Sequence, residues 1–354
     1  MSLPTRRGVV AGSLALAACT RASADAPTGP LPPLKSLASF PLGVCATTEQ
    51  FDELGWTELV RTHFDRVTPE WEMKAEAFAR PEGGYDFGRA DRLADAASTR
   101  GLKTFGHTLV WYSQVPRPFQ ALDGDRRAFA AAYRAYVTTA ARRYAGRVVG
   151  WDVVNEPVMD DGQGYRDCLW RKNLGMDYVR LAFEHAREAD PEAVLFLNDY
   201  NLEQLPKKRA DFLRLAESLL KAGAPLGGLG TQTHIPADLK PGRIAEAVRE
   251  LGVLGLPVHV SELDISLTRG PGPLASRGSL EDGQKRLATE VVQAIQDLPP
   301  AQRWGLTVWG ARDRDSWLRR TPENRGPRPD APLLFDDEGR PKGVAHAVAA
   351  ALKG

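Results

Sequence analysis

A single (β/α)8 barrel is the fold that the sequence predicts, and three observations carry it. Short apolar runs alternate with longer amphipathic stretches along most of the 354 residues. Polar, aromatic and ionisable residues stand at the C-terminal end of nearly every apolar run, where a parallel barrel gathers its chemistry. No glycine-rich phosphate loop follows the first run, as a doubly wound nucleotide-binding sheet would require.

The chain opens on a targeting segment. Arg6-Arg7 precede an apolar stretch from Gly8 to Ala18, too short to span a bilayer as a helix. Residues 1–24 therefore read as an export signal of twin-arginine type, which predicts a periplasmic or extracellular protein. Two processing readings stand side by side. Ala22-Ser-Ala24 fits a small-residue cleavage site, and Leu16-Ala-Ala-Cys19 resembles a lipoprotein box with a lipid anchor on Cys19. Residues 25–39, rich in Pro and Ala, read as a tether, and the barrel occupies 40–354.

Within the barrel, the strand-like runs are 41–46, 63–68, 103–111, 148–155, 194–199, 228–234, 257–264 and 305–309. Each is short and apolar, and each ends in polar or turn residues. Helical periodicity covers 89–100, 126–144, 178–189, 207–222, 241–254, 280–298 and a closing run at 344–352. Eight strands over about 315 residues leave room for long loops at the barrel mouth.

Charge is balanced, 46 basic against 45 acidic residues, and no Lys/Arg run stands out, which argues against a nucleic-acid partner. No His/Cys/Asp/Glu spacing suggests a metal site, and no cofactor is expected. Of the cysteines in the body of the chain, Cys45 falls in a buried strand and reads as a free core thiol; whether it pairs with Cys168 is left open.

The strand ends supply the chemistry. The second run leads to Glu70 and Lys74, the third to His107, Trp111 and Gln114, and the fourth to Asn155 and Glu156. The fifth gives Asn198 to Asn201, the sixth Gln232 and His234, the seventh Glu262 and Asp264, and the eighth Trp309. Buried carboxyls are costly unless their surroundings are built for them. Two of them at one barrel mouth fit a retaining glycosidase, which needs a nucleophile and an acid roughly 5–5.5 Å apart. Glu262 is the expected nucleophile, with His234 hydrogen-bonded to it and Asp264 orienting His234. Glu156 is the expected acid/base, protonated to release the leaving sugar and then ionised to activate water. Asn155 beside it can donate to the sugar 2-hydroxyl.

Ordered motifs then give a resemblance that runs from about Phe40 to the C-terminus. They include Val67-Thr-Pro-Glu70, Glu72-Met-Lys74, Gly106-His-Thr-Leu-Val-Trp111, Trp151-Asp-Val-Val-Asn-Glu156 and Asn198-Asp-Tyr-Asn201. Gln232-Thr-His234, Ser261-Glu-Leu-Asp264, Thr307-Val-Trp-Gly310, Asp315-Ser-Trp317 and Leu333-Leu-Phe-Asp336 follow. The chain resembles the endo-xylanases of glycoside hydrolase family 10. The resemblance implies a retaining endo-1,4-β-xylanase acting as a monomer on xylan or another β-1,4-linked glycan. It matches Glu156 to the acid/base and Glu262 to the nucleophile. Glu70, Lys74, His107, Trp111 and Gln114 match positions that hold sugars on the non-reducing side of the cut. Asn155, Gln232 and His234 match positions around the reacting ring, and Trp309 and Trp317 its aromatic wall.

Three positions depart from the family pattern: Trp71 replaces Asn, Ala75 replaces Trp and Tyr112 replaces His. Either Trp71 and Ala75 exchange volume within one repacked wall, or Trp71 alters which glycan is preferred. The second alternative keeps the chemistry and changes the substrate to another β-linked glycan, such as an exopolysaccharide or substituted oligosaccharide. A sugar-binding barrel without catalysis is opposed by the presence of both carboxyls with Asn155 and His234. The arginines between Arg312 and Arg328 read as a solvated loop after the last strand, with contact to acidic substituents of the substrate as the other reading.

Overall fold

The computed structural model describes residues 30–270, 275–324 and 329–354. The expected export signal, its Cys19 and the first part of the tether lie outside the described residues. Among the described residues nine parallel strands are formed: β1 (Leu42–Ala46), β2 (Arg66–Pro69), β3 (Lys103–Trp111), β4 (Val148–Asn155), β5 (Val194–Asp199), β6 (Gly228–Thr231), β7 (His234–Pro236), β8 (Val258–Ser266) and β9 (Arg303–Val308). The strands β1 to β6 pair in sequence order, β6 pairs with β8, β8 with β9 and β9 with β1, which closes an eight-stranded barrel. The expected (β/α)8 architecture is what forms.

Two differences from the sequence reading have physical causes. The run expected as one strand over 228–234 is broken at Thr233, whose φ is 60°. Thr231 and Thr233 both donate their hydroxyls to the buried Glu203 carboxylate at 2.6 Å, which fixes the break. Beyond it, β7 pairs only with β8, His234 opposite Asp264. The second run was expected to begin at 63, but His63 closes a helix, Leu54–His63, that the sequence reading did not resolve. Its buried side chains, Trp56, Val60 and His63, repeat at helical spacing.

The tether also ends sooner than residue 39. Leu34 begins a 3-10 turn, is fully buried, and donates its backbone N–H to Nδ1 of His63 at 3.3 Å. Burying one such leucine side chain is worth about 2 kcal/mol, enough to dock this stretch on the barrel.

The interior of the barrel is filled by aromatic rings. Phe105 on β3 meets Phe196 on β5 and His259 on β8 with centroids 5.6 and 4.8 Å apart, and Phe196 meets Trp304 on β9 at 5.0 Å. Burial, reinforced by Arg66 and His107, pulls His259 down to about 3, so this floor carries a neutral imidazole at physiological pH. The ionisable groups of the mouth stand on a solid base. Cys45 and Cys168 are both free, and burial pushes the Cys45 thiol up, which makes it inert.

Candidate active site

One cavity of about 650 Å³ occupies the C-terminal mouth of the barrel. It is lined by Glu70, Lys74, His107, Trp111, Gln114, Asn155, Glu156, Gln232, His234, Glu262, Trp309 and Trp317, all expected from the sequence. Asp264 is the exception. It is buried behind the wall, where its Oδ2 meets Nδ1 of His234 at 2.7 Å and accepts from Nε1 of Trp317 at 2.9 Å. One carboxylate therefore sets the orientation of both a histidine and an aromatic wall.

Glu262 sits on β8, almost fully buried. Its Oε1 accepts from Nδ2 of Asn198 at 3.1 Å, and its Oε2 lies 3.4 Å from Nε2 of His234. Burial works against its charge, but His107, His234 and Lys74 outweigh burial and hold the carboxyl at about 2. His234 shows the reciprocal effect. Burial disfavours its charged form, yet Asp264 and Glu262 push it up to about 10, so it is an imidazolium at neutral pH. Beneath this pair, Nδ1 of His107 lies 2.8 Å from Oδ2 of Asp152, and burial raises that carboxyl to about 6 against the pull of His107.

Glu156 follows the last residue of β4 with φ at 57°, a left-handed conformation that costs a glutamate about 1–2 kcal/mol. Its N–H donates to the carbonyl of Asn198 at 2.8 Å. Its Oε1 accepts from Nε2 of Gln232 at 2.9 Å and from Nδ2 of Asn155 at 3.2 Å, and Oε2 accepts from none of the described side chains. The two carboxyls share an amide relay. The Asn198 amide bonds Oδ1 of Asn155 at 3.0 Å as well as Glu262, and its own Oδ1 accepts from Ser261 at 2.8 Å, which fixes its orientation. A Cβ on Gly230 would come within 2.3 Å of the Asn198 oxygen, so only glycine leaves that amide its place. A buried ionised carboxylate facing a second carboxyl across fixed amides has the parts needed for displacement at an anomeric carbon.

The sequence model described as Glycosyl hydrolase family 10 matches residues 35–351. The chain belongs to glycosyl hydrolase family 10. An endo-1,4-beta-xylanase A of Cellvibrio japonicus is 34% identical over 351 residues, covering 91% of this chain and 56% of that protein. An endo-1,4-beta-xylanase 2 of Claviceps purpurea is 33% identical over 317 residues, 89% of each chain. A solved structure of a mutant xylanase A from P. fluorescens subsp. cellulosa, in complex with xylopentaose, superposes with a TM-score of 0.81 at 32% identity, over 91% of this chain and 100% of that one. The chain spans about half the length of the first relative, and 26–29% of three others.

Against this family frame, the three departures separate. Ala75 is buried in the core at the start of the helix Ala75–Phe78 and does not line the cavity. Trp71 does line it, with 38% of its surface exposed and the Arg89 guanidinium 4.7 Å from its ring centroid. Of the two, only Trp71 faces the cavity. Tyr112 packs edge-on to Trp111 and carries the Arg166 guanidinium 4.2 Å over its ring.

Several cavity residues were missed. Thr47, Arg269 and Arg320 line the mouth, as do Tyr200 and Asn201 of a motif that received no role. The loop arginines are not merely solvated. Arg312 is buried and paired with Asp315 and Glu53, Arg319 pairs with Asp337, and Arg320 pairs with Glu70 at the cavity edge. Two of the balancing carboxylates, Glu53 and Glu70, lie 259 and 250 residues away, which hid those pairs from the local pattern.

Proposed function

We propose that this protein is a retaining endo-1,4-β-xylanase that cuts internal bonds of xylan by double displacement. The observation that carries the reading is the pair Glu262 and Glu156: one carboxyl is held ionised by His107, His234 and Lys74, and the other is held by Asn155 and Gln232. In the first step an oxygen of Glu262 bonds to the anomeric carbon while Glu156 gives its proton to the departing glycosidic oxygen. In the second step Glu156 takes a proton from water, and that water's oxygen replaces Glu262 at the same carbon. Inverting twice retains configuration. Loss of the Glu262 charge in the covalent intermediate favours the ionised form of Glu156 that the second step needs. Trp309 and Trp317 offer apolar faces to the sugar ring, and the Asp264 contact keeps Trp317 in place. Proton NMR of the first product formed from xylo-oligosaccharides is expected to show the β-anomer, and first-formed α-anomer would overturn this mechanism.

A second reading, the same chemistry on a different β-linked glycan, is favoured by Trp71. Its indole stands at the cavity edge where the family has a small amide, removing a polar contact and adding bulk. Trp71→Asn is expected to raise kcat/KM on unsubstituted xylo-oligosaccharides by roughly tenfold, the worth of one recovered hydrogen bond. The check is a comparison of wild type and variant on xylan, xylo-oligosaccharides and β-glucans. If wild type already cleaves xylan at least as well as every alternative and the variant gains nothing, Trp71 leaves specificity unchanged.

A further inference from the structure

Tyr112 and Arg166 have no role in the reading above, yet they meet at the back of Glu156. The chain after β4 turns back on itself: the Met159 N–H donates to the Gly164 carbonyl at 2.9 Å, and the Arg166 N–H to the Pro157 carbonyl at 2.8 Å. This small hairpin returns Arg166 to the residue where it began. There its Nε donates to the backbone carbonyl of Glu156 at 2.9 Å. The backbone of Glu156 is left-handed, so a donor on its carbonyl bears directly on where its carboxyl points.

The guanidinium is itself held from three directions. Its Cζ lies over the ring of Tyr112, 4.2 Å from the centroid, from the loop after β3. Its Nη2 donates to the Tyr200 hydroxyl at 2.5 Å, from the loop after β5, and lies 3.5 Å from Asp160 in the hairpin. Behind them, fully buried Lys208 pairs with Asp160 and with Asp199, both at 2.8 Å, and Asp199 accepts the Val158 N–H at 3.1 Å. The loops after three consecutive strands are thus fastened around one guanidinium. Stacking on an aromatic face and fork-shaped donation are both properties that lysine lacks.

We propose that Arg166, seated on Tyr112, is a positioning residue for the acid/base Glu156, holding its left-handed backbone so that its carboxyl meets the leaving oxygen. The inference rests on the acid/base role given to Glu156 above. It also gives the Tyr112 departure a purpose: a phenol ring is a broader platform for a guanidinium than the imidazole of the family pattern.

A displaced general acid harms only the bonds that need a proton. The test is therefore kcat/KM, which reports formation of the glycosyl-enzyme, on two aryl β-xylobiosides. One carries a dinitrophenolate that leaves unaided, and the other a phenol that requires protonation. Arg166→Met is expected to lose roughly ten- to a hundredfold on the phenyl substrate and less than about threefold on the dinitrophenyl one. Tyr112→Ala is expected to follow the same pattern at roughly threefold to tenfold, whereas Tyr112→Phe, which keeps the ring, stays near wild type. Glu156→Ala measured alongside separates the two claims. If Glu156→Ala discriminates between the substrates while Arg166→Met and Tyr112→Ala lose equally on both, or on neither, the positioning role is wrong and the acid/base role stands. If Glu156→Ala itself shows no discrimination, the acid/base role has failed first. Thermal melts of each variant identify any that does not fold, in which case the Tyr112 pair decides.

Discussion

Replacing Glu262 by alanine is expected to abolish turnover on every substrate, by roughly 10⁵-fold in kcat, because the proposed mechanism forms its covalent intermediate on that carboxylate alone. Leaving-group quality should make no difference. Glu156→Ala should behave otherwise. Its kcat/KM on xylan is expected to fall by roughly 10³-fold, the usual contribution of a general acid, while dinitrophenyl glycosides keep kcat/KM near the wild-type value. Their kcat should still fall, because water now attacks the glycosyl-enzyme without a base. Steady-state kinetics on activated and unactivated substrates for both variants checks all of this. Equal losses on both substrate classes in both variants would overturn the assignment. The geometry argues for the assignment in this direction and not the reverse. Glu262 is surrounded by His107, His234 and Lys74 and held ionised at about 2, which suits a nucleophile and not a proton donor. Among the described side chains, Glu156 receives only the neutral amides of Asn155 and Gln232, with no cation hydrogen-bonded to it.

The barrel was legible because parallel strands buried on both faces read as short apolar runs, and their C-terminal residues must break that pattern to do chemistry. Eight runs were located, and the cavity residues contributed by strand ends were legible with them. Most of what stayed hidden is set by contacts distant in sequence. Asn198 was read as a strand-end polar residue, but its link to Glu262 spans 64 residues and depends on space left by Gly230. The pairing of Arg320 with Glu70 spans 250 residues, so a charged loop looked solvated when part of it closes the cavity edge. The break at Thr233 was hidden because threonine ordinarily favours strands; two hydroxyls on one buried carboxylate override that preference. The helix Leu54–His63 was hidden by its own mixed surface, where Leu54 is 86% exposed while Trp56 is buried.

His234→Ala is expected to move the acid limb of the kcat/KM profile upward by about one to two pH units, since an opposite charge at hydrogen-bond distance lowers a carboxyl by about that much. The sign follows from the folded-state values. Burial alone raises the Glu262 carboxyl; it sits at about 2 because His107, His234 and Lys74 outweigh burial, and His234 supplies both a hydrogen bond and a charge. With His234 gone, Glu262 protonates at higher pH and activity is expected to be lost earlier on acidification. Stability moves with opposite ends of the scale. The folded Glu262 value lies below the ordinary 4.5, so its contribution is present above 4.5 and is lost as pH falls through about 2. The folded His234 value lies above the ordinary 6.5, so its contribution is full below 6.5 and is lost as pH rises through about 10. The variant should therefore be less stable than wild type at pH 6 by on the order of 3 kcal/mol, as expected when one partner of a buried charged group is removed, with the gap closing above pH 10. His234→Gln, which keeps a donor but no charge, separates the two contributions. If it restores the acid limb fully, the hydrogen bond is what holds Glu262 ionised; if it behaves like alanine, the charge does. An acid limb unmoved in both variants would mean that His107 and Lys74 suffice, and that the bond from Asp264 to His234 serves the ring's orientation alone.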